Sequence, residues 1–454
     1  MSVLFLIPGC ISLYLVLKGR VEAAFFSVYL PSLLLLPAGF GLRLPHLPFL
    51  SASEYALIPI GVVALTRHIK SGSFRLMDAL VFLFWMSFLT TEMLREPVMN
   101  DGILAAAELF VSQLLAYVVG RQLIEPDLRF KTIRRFVIFI LLLFPIGLYE
   151  WRFGQSVYGI IGQRLGIVLG ETGSGIQIRG GRGRLTLSFA GGEFAGIVIG
   201  VTFALNAWLV FVSKARAGVD LGSWLAKLEK YHIPALLMVF AIWLTQSRGA
   251  MISLTAAFII LQIPKFKKTK LATIVVAVLF ILAGLGAKQY FAHSVGTDEA
   301  TMTEEQHSTY YRQVMNEAYQ NVAEMGGWFG WSEGAVPVVG GQKSIDNHFL
   351  LVHLMQGEIG FILLILIAAE SVRTAIASAW SFQALEDRVL ACSMLAIFTI
   401  FWITYYTVFM GGQMSEVTFL MLGWGQSLVA GKTSAASVAG VVAHPRFHFQ
   451  RVFR

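Results

Sequence analysis

The stretch NHFLLVHLMQGEIGFILLILIAAE, residues 347–370, contains only two acids, Glu358 and Glu370, in an otherwise largely apolar run. About 20 such residues carry a helix across the ~30 Å hydrocarbon core of a bilayer. In lipid the backbone must satisfy its own hydrogen bonds, so long apolar runs specify helices rather than an open sheet. Working outward from this run, the same ruler places spans near 2–17, 23–40, 54–67, 77–93, 103–120, 134–150, 188–212, 232–246, 249–263, 271–291, 388–410 and 414–430. The short hairpin 232–263 reads either as two short spans or as a re-entrant pair. The expectation is an all-α polytopic membrane protein with about 12–14 transmembrane helices. Gly196, Gly200, Gly357 and Gly360 suit close helix contacts.

Composition agrees. Of 454 residues, 56% are hydrophobic and 14% charged, against ~25% charged in an ordinary soluble chain, and mean hydropathy is +0.69. That excludes a string of soluble domains and excludes disorder. Only Cys10 and Cys392 are present, both in apolar runs, so a disulfide scaffold is excluded. Thirty-five Lys and Arg against 27 Asp and Glu give a net charge of +8. Much of the excess falls in loops at 67–75, 121–135, 214–230, 265–270 and 373–388, and in the tail 446–454. These share one side if the spans alternate, and the positive-inside rule makes that side the cytoplasm. Nucleic-acid binding is disfavoured. The first apolar run is followed, not preceded, by Lys18 and Arg20, which reads as a retained span rather than a cleavable signal.

Two long polar stretches then face outward, 151–187 and 292–346, and loops of that length are usually functional. The second holds Tyr311, Met315, Ala318, Tyr319 and Val322 at helical spacing, predicting an amphipathic helix over 308–325. The chain accordingly divides into N-terminal spans (1–150), an Arg/Gly-rich external loop (151–187), central spans (188–291), a large external loop (292–346), C-terminal spans (347–430) and a basic cytoplasmic tail (431–454).

Chemistry-bearing residues cluster at the outer ends of these spans. Arg179, Arg182 and Arg184 lie on a glycine-rich backbone, and guanidinium forks match phosphate oxygens. Basic clusters outside are what the positive-inside rule depletes, which favours a functional reading over contact with lipid head groups. Glu193 enters the next span beside them, either as an ion-pair partner or as a catalytic acid. Arg248 sits in the turn between two short apolar segments, among Gln246, Ser247 and Gly249. In the last external segment, Asp346 or Asn347 is placed to cap the returning helix, followed by His348 and His353. The i,i+5 spacing of those histidines does not build a zinc site, and no metal is expected.

The order of these elements resembles the bacterial O-antigen ligase and polymerase superfamily over roughly residues 180–365. Arg184-Leu-Thr-Leu-Ser-Phe189 with Glu193-Phe-Ala195 is similar to the family's Arg-containing entry into a span. Thr245-Gln-Ser-Arg248-Gly249 is similar to its Ser-Arg-Gly turn. Ser308–Arg312, Gly330-Trp331, Ser344-Ile-Asp346-Asn347-His348 and Gly357-Glu-Ile-Gly360 resemble its external loop and returning helix. The resemblance implies a metal-independent, GT-C-like glycosyltransferase of the bacterial inner membrane, with no cofactor and a site facing the periplasm. Its donor would be an oligosaccharide on polyprenyl diphosphate and its acceptor a glycan, with a chain-length regulator and a flippase as candidate partners. Ligases of the family place His before the Asn of the external motif, where this chain has Asp346. That departure favours a polymerase of O-antigen or exopolysaccharide units over a ligase acting on lipid A core.

On this reading Arg184, Arg248 and Arg312 hold the diphosphate with Arg182 as helper, and Arg248 counts as catalytic because positive charge there meets the developing leaving group. Asp346 receives or orients the acceptor hydroxyl, with Glu193 second, and Asn347 and His348 contact substrate. The rival expectation is a transporter or flippase using Glu108, Glu358, Glu370 and Glu416 as pathway groups. Neutral helix packing is the plainer role for Glu108 and Glu416.

Overall fold

The computed structural model describes residues 2–44, 46–164, 166, 176–215, 232–294, 304–339 and 344–438. Parts of both external loops, most of the basic loop at 214–230 and the tail from 439 onward lie outside the described residues.

Among the described residues there are 15 α-helices. They are α1 (Ile7–Leu17), α2 (Val21–Leu35), α3 (Ala52–Ser71), α4 (Leu76–Arg95) and α5 (Met99–Leu123). Next come α6 (Pro126–Phe153), α7 (Val157–Arg164), α8 (Gly192–Ala215), α9 (Ile233–Leu244) and α10 (Arg248–Ile260). The last five are α11 (Thr269–Ser294), α12 (Glu304–Gly326), α13 (His348–Ser381), α14 (Leu385–Tyr405) and α15 (Gln413–Val438). Seven of these, α4, α5, α6, α8, α11, α13 and α14, are long and apolar enough to cross a bilayer. The chain is a multi-pass membrane protein.

Every apolar run read from the sequence contains a helix, with boundaries that differ for local reasons. The run 23–40 stops at Leu35, because Pro37 biases Leu36 out of the helical region, and Leu36 is extended at ψ 136°. The chain then forms a small hairpin not foreseen in the sequence, with β1 (Gly41–Arg43) antiparallel to β2 (Phe49–Ser51). Ser51 and Glu54 close a capping box that starts α3. α9 and α10 have 12 and 13 residues, about 18–20 Å each at 1.5 Å per residue, short of a full crossing. α15 runs on to Val438, into the stretch read as tail.

The core lies where α5, α8, α14 and α15 meet, around the fully buried Tyr117, Phe398, Phe401, Tyr405 and Trp424. Gly120 of α5 rests against the Leu420 carbonyl of α15, and Gly423 of α15 against the Tyr117 carbonyl. Any side chain at either glycine would force the two helices apart, which is the close packing small residues permit in membranes. Gly196 of α8 likewise abuts Ala250 of α10.

One end of the bundle is fixed by buried charge. Tyr117 Oη donates to Asp78 Oδ1 at 2.6 Å, and Arg121 bridges Asp78 and the Ser73 carbonyl. Arg75 donates to the Gln426 carbonyl at 3.0 Å, and Arg129 faces Asp387 at 3.6 Å. The basic loops at 67–75, 121–135 and 373–388 thus gather at a single end, as alternation of the spans requires. The arginine and histidine motifs of the external segments lie at the opposite end.

Candidate functional site

The Arg/Gly loop folds as a two-residue ladder, β3 (Ile178–Arg179) against β4 (Arg182–Gly183), turning through Gly180 and Gly181. Both glycines have positive φ, 56° and 73°, a region that disfavours any residue with a Cβ. The ladder delivers Arg184 into a buried position. Its Nε donates to the Thr245 carbonyl at 2.9 Å, Nη2 pairs with Glu193 Oε2 at 2.7 Å, and Nη1 reaches Gln177 Oε1. The backbone follows: Leu185 N–H donates to the Leu244 carbonyl at 3.2 Å, and Arg179 Nη1 to the Gln246 carbonyl at 3.1 Å. The loop is therefore stitched to the turn that carries Arg248. Arg182 takes a different course and stacks its guanidinium over Trp151 at 4.2 Å.

A residue the sequence reading passed over sets this loop. Glu150, fully buried near the end of α6, accepts from Thr186 N at 2.9 Å, Thr186 Oγ1 at 3.1 Å and Leu187 N at 2.8 Å with one carboxylate oxygen. It holds Leu187 at φ 57°, an uncommon region for a non-glycine residue. Ser188 Oγ and Tyr158 Oη donate to the carbonyls of Leu34 and Leu35, each at 2.6 Å, tying the loop and α7 to the end of α2. Burial pushes the Tyr158 phenol up to about 12, so it stays a donor there.

Arg248 is the first residue of α10, exposed, and follows the N-cap Ser247. A side chain at Gly249 would meet Thr407 Oγ1 at 3.3 Å, so this turn lies directly against the α14–α15 connection. From the same connection Met410 N–H donates to His348 Nδ1 at 3.3 Å, which leaves Nε2 carrying the proton of the neutral ring. The His348 ring packs edge-on against Tyr405 at 4.7 Å. Asn347, not Asp346, caps α13, accepting from Leu350 N at 3.2 Å. Asn347 Nδ2 donates to Asn316 Oδ1 at 3.3 Å, one helical turn beyond Arg312 on α12. Asp346 is half-buried and accepts from Ser344 Oγ at 3.0 Å.

The structure therefore brings Arg184 and Glu193 into direct contact and stitches their loop to the turn that carries Arg248. That turn lies against the Thr407–Met410 segment, which holds His348, and Asn347, next to His348 and Asp346 in the chain, reaches Asn316 on the helix that carries Arg312. Helices α8, α10, α13 and α15 all begin at this end. Their N-termini carry partial positive charge and unsatisfied N–H groups, an arrangement suited to anions. Glu193 is ion-paired with Arg184, one of the two roles the sequence offers it.

α12 lies on the outer part of α13 as the amphipathic spacing predicts, with Met315, Tyr319 and Ala323 buried against Leu354. What the spacing did not reveal is how it is fastened. α13 is broken at Gly357, at φ 66° and ψ −161°. Into the break fits the turn after α12. Trp331 N and Ser332 N donate to the Leu354 and Met355 carbonyls at 2.8 and 3.2 Å. Glu358 N and Ile359 N donate to the Gly327 and Trp328 carbonyls at 3.1 and 3.3 Å. Four backbone groups released by the break are thus satisfied by the loop. Gly330 is needed as well, since a Cβ there would lie 2.5 Å from Gly357 N and 2.6 Å from the Leu354 carbonyl. The break also swings Glu358 to His353, at 3.1 Å.

Among the described residues no group of three or more His, Cys, Asp or Glu side chains is arranged to hold a metal ion. His348 and His353 serve separate partners. The arrangement offers oriented guanidiniums and helix N-termini for an anionic group, with carboxylate, amide and imidazole groups at its rim. No protein-family model matches the chain, and no curated protein matches it in sequence.

Proposed function

We propose that the protein is a polysaccharide polymerase of the bacterial inner membrane, with its site at the periplasmic face and a GT-C-like helical fold in which α9 and α10 form a short hairpin within the bundle. It transfers a growing glycan from polyprenyl diphosphate to a lipid-linked acceptor repeat. The observation that carries this reading is the joining of two arginine motifs some sixty residues apart, Arg184 held by the Thr245 carbonyl of the Arg248 turn. A leaving diphosphate gathers negative charge as the glycosidic bond breaks, and fixed guanidiniums aimed at it stabilise that charge without reorganising. Arg184 still has donor capacity beyond its protein partners, and its exposed partner Gln177 is the one an incoming phosphate oxygen can replace. Arg248 and Arg312 complete the grip, and Arg182 helps from its seat on Trp151. Asp346 accepts the acceptor hydroxyl proton at the loop side, while Asn347 and His348 position the sugar. Glu193 holds Arg184.

The test is to incubate purified protein with polyprenyl-diphosphate-linked repeat units, with and without lipid A core. A ladder of longer lipid-linked glycans supports polymerisation. Capture of glycan by lipid A core instead makes the protein a ligase. Unchanged substrate in both reactions, together with solute flux in sealed vesicles, replaces this reading with transport.

A further inference from the structure

A second polar centre, built on the first turns of α3 and α15, takes no part in the proposed transfer. Glu54 in the first turn of α3 and Glu416 in the first turn of α15 are 5% and 1% exposed. They are linked by two serine hydroxyls. Ser51 Oγ lies 2.8 Å from Glu54 Oε2, Ser51 Oγ and Ser53 Oγ are 3.0 Å apart, and Ser53 Oγ lies 2.9 Å from Glu416 Oε2. Glu54 Oε2 also accepts from Ser51 N at 2.7 Å.

The hydrogens can be counted. Three oxygen–oxygen contacts in a row need three hydrogens, and the two serines bring one each. An ionised carboxylate brings none. The third hydrogen must be a carboxyl proton, one for the pair. On its far side the buried Oε1 of Glu416 faces the buried hydroxyl of Tyr29 from α2. That neutral donor suits the carbonyl oxygen of a neutral acid, whereas a charged oxygen buried there with no cation beside it would cost far more. Among the described residues neither acid forms an ion pair with Lys, Arg or His. The other titratable groups near Glu54 are Tyr55, whose hydroxyl is committed to the Leu42 carbonyl, and Glu108 of α5, which itself faces Glu333 and Arg43.

We propose that Glu54 and Glu416 form a buried proton-binding site that holds one proton between them, with Ser51 and Ser53 as the relay. With the proton on Glu416 Oε2, that group donates to Ser53, Ser53 to Ser51, and Ser51 to Glu54. Moving the proton passes Glu416's hydrogen to Ser53, Ser53's to Ser51 and Ser51's to Glu54. Three O–H bonds break and three form, and the charge moves from Glu54 to Glu416. The site sits one turn into α15, behind Met410 and Gln413, which hold His348 and the end of α2. It is independent of the glycosyl-transfer reading.

The experiment is infrared difference spectroscopy of the full-length protein in lipid nanodiscs at neutral pH, read at the protonated-carboxyl stretch. Glutamine at either position mimics the neutral acid and lets the other acid ionise. Glu54→Gln, Glu416→Gln and the double variant should therefore each lose the same single carboxyl signal. A double variant that loses twice the signal of either single, or variants that lose none, overturns the proposal. So does a carboxyl signal that grows only when sodium is exchanged for choline, which would mark a sodium site. Should a glutamine variant fail to fold, Ser53→Ala keeps both acids. It should retain one protonated carboxyl at a shifted frequency, and an unshifted spectrum overturns the relay.

Discussion

Replacing Gly357 by alanine strikes the place where α13 and the turn after α12 share four backbone hydrogen bonds. Gly357 adopts φ 66° and ψ −161°, a region populated essentially by glycine, and forcing a Cβ into it costs about 1–3 kcal/mol. The added methyl also collides with the Gly327 carbonyl, Gly330 N and Trp328. The turn must back away, and the four bonds of Trp331, Ser332, Glu358 and Ile359 go with it. At about 0.5–1.5 kcal/mol net per bond, their loss adds about 2–6 kcal/mol. The smallest combination, about 3 kcal/mol, shifts the docking equilibrium of the turn roughly 150-fold. Hydrogen exchange followed by mass spectrometry reads this directly. In the wild type the amides of 327–332 and 358–359 should be protected. In Gly357→Ala they should exchange at least ~100-fold faster, with the Asp78–Arg121 end of the bundle unchanged. Glycan transfer should fall with the docking, because Arg312 and Asn316 ride on α12. Wild-type protection of both segments in Gly357→Ala would refute the claim that the loop closes the break.

Arg184→Ala and Arg248→Ala should each lower product formation ~10²–10³-fold, the usual cost of removing one oriented charge donor, with membrane insertion intact. Normal chain formation by both purified variants would remove the arginines from the mechanism. Glu150→Ala should lower thermal stability by about 1–3 kcal/mol, since the Thr186 and Leu187 amides lose their buried acceptor, and should raise KM through the loosened Arg184 loop. The cap and the acid can be separated at the start of α13. Asn347→Asp retains a capping oxygen and should melt like the wild type, Asn347→Ala should cost about 1 kcal/mol, and Asp346→Asn should reduce kcat with little change in melting.

The sequence and the structure part company at identifiable places. Hydropathy located every long apolar helix because lipid imposes one rule on every span, though it did not announce α7, and the 308–325 spacing placed Tyr311, Met315 and Tyr319 on the buried side of α12. A cap at Asp346 or Asn347 followed from local chemistry alone, and the fold selects Asn347. Gly357, by contrast, reads in the sequence as a small residue for helix contact. Its left-handed backbone follows from a partner, the Gly327–Ser332 turn, whose approach no local pattern announces. Glu150 looks like any acid at the end of a span, and only the fold brings Thr186 and Leu187 to it. Glu54 and Glu416 are 362 residues apart, and their pairing through Ser51 and Ser53 depends on how α3 and α15 pack. The legible features are those set by neighbours along the chain, and the illegible ones are set by neighbours across it.

The way the candidate site is fastened bears on what it can do. Each of its pieces is locked by a contact that does not involve the guanidiniums' outward face. The Arg184 loop hangs on Glu150 and on the Leu244 and Thr245 carbonyls. The Arg248 turn is capped by Ser247 and lies against Thr407. Asn347 caps α13, and the broken helix fixes α12. Ordering long side chains only when substrate arrives would consume binding energy, since each immobilised rotamer-rich chain costs about 0.5–1.5 kcal/mol. Here that ordering accompanies folding. For Arg184 the ordering is already complete in the free protein, where the Thr245 carbonyl and Glu193 fix the plane of its fork. A lysine at 184 would keep the charge but could not span Thr245, Glu193 and an incoming oxygen with one ammonium. Arg184→Lys should therefore be nearly as inactive as Arg184→Ala. A lysine variant with near-normal activity would mean that bulk positive charge, not an oriented fork, is what this end of the protein supplies.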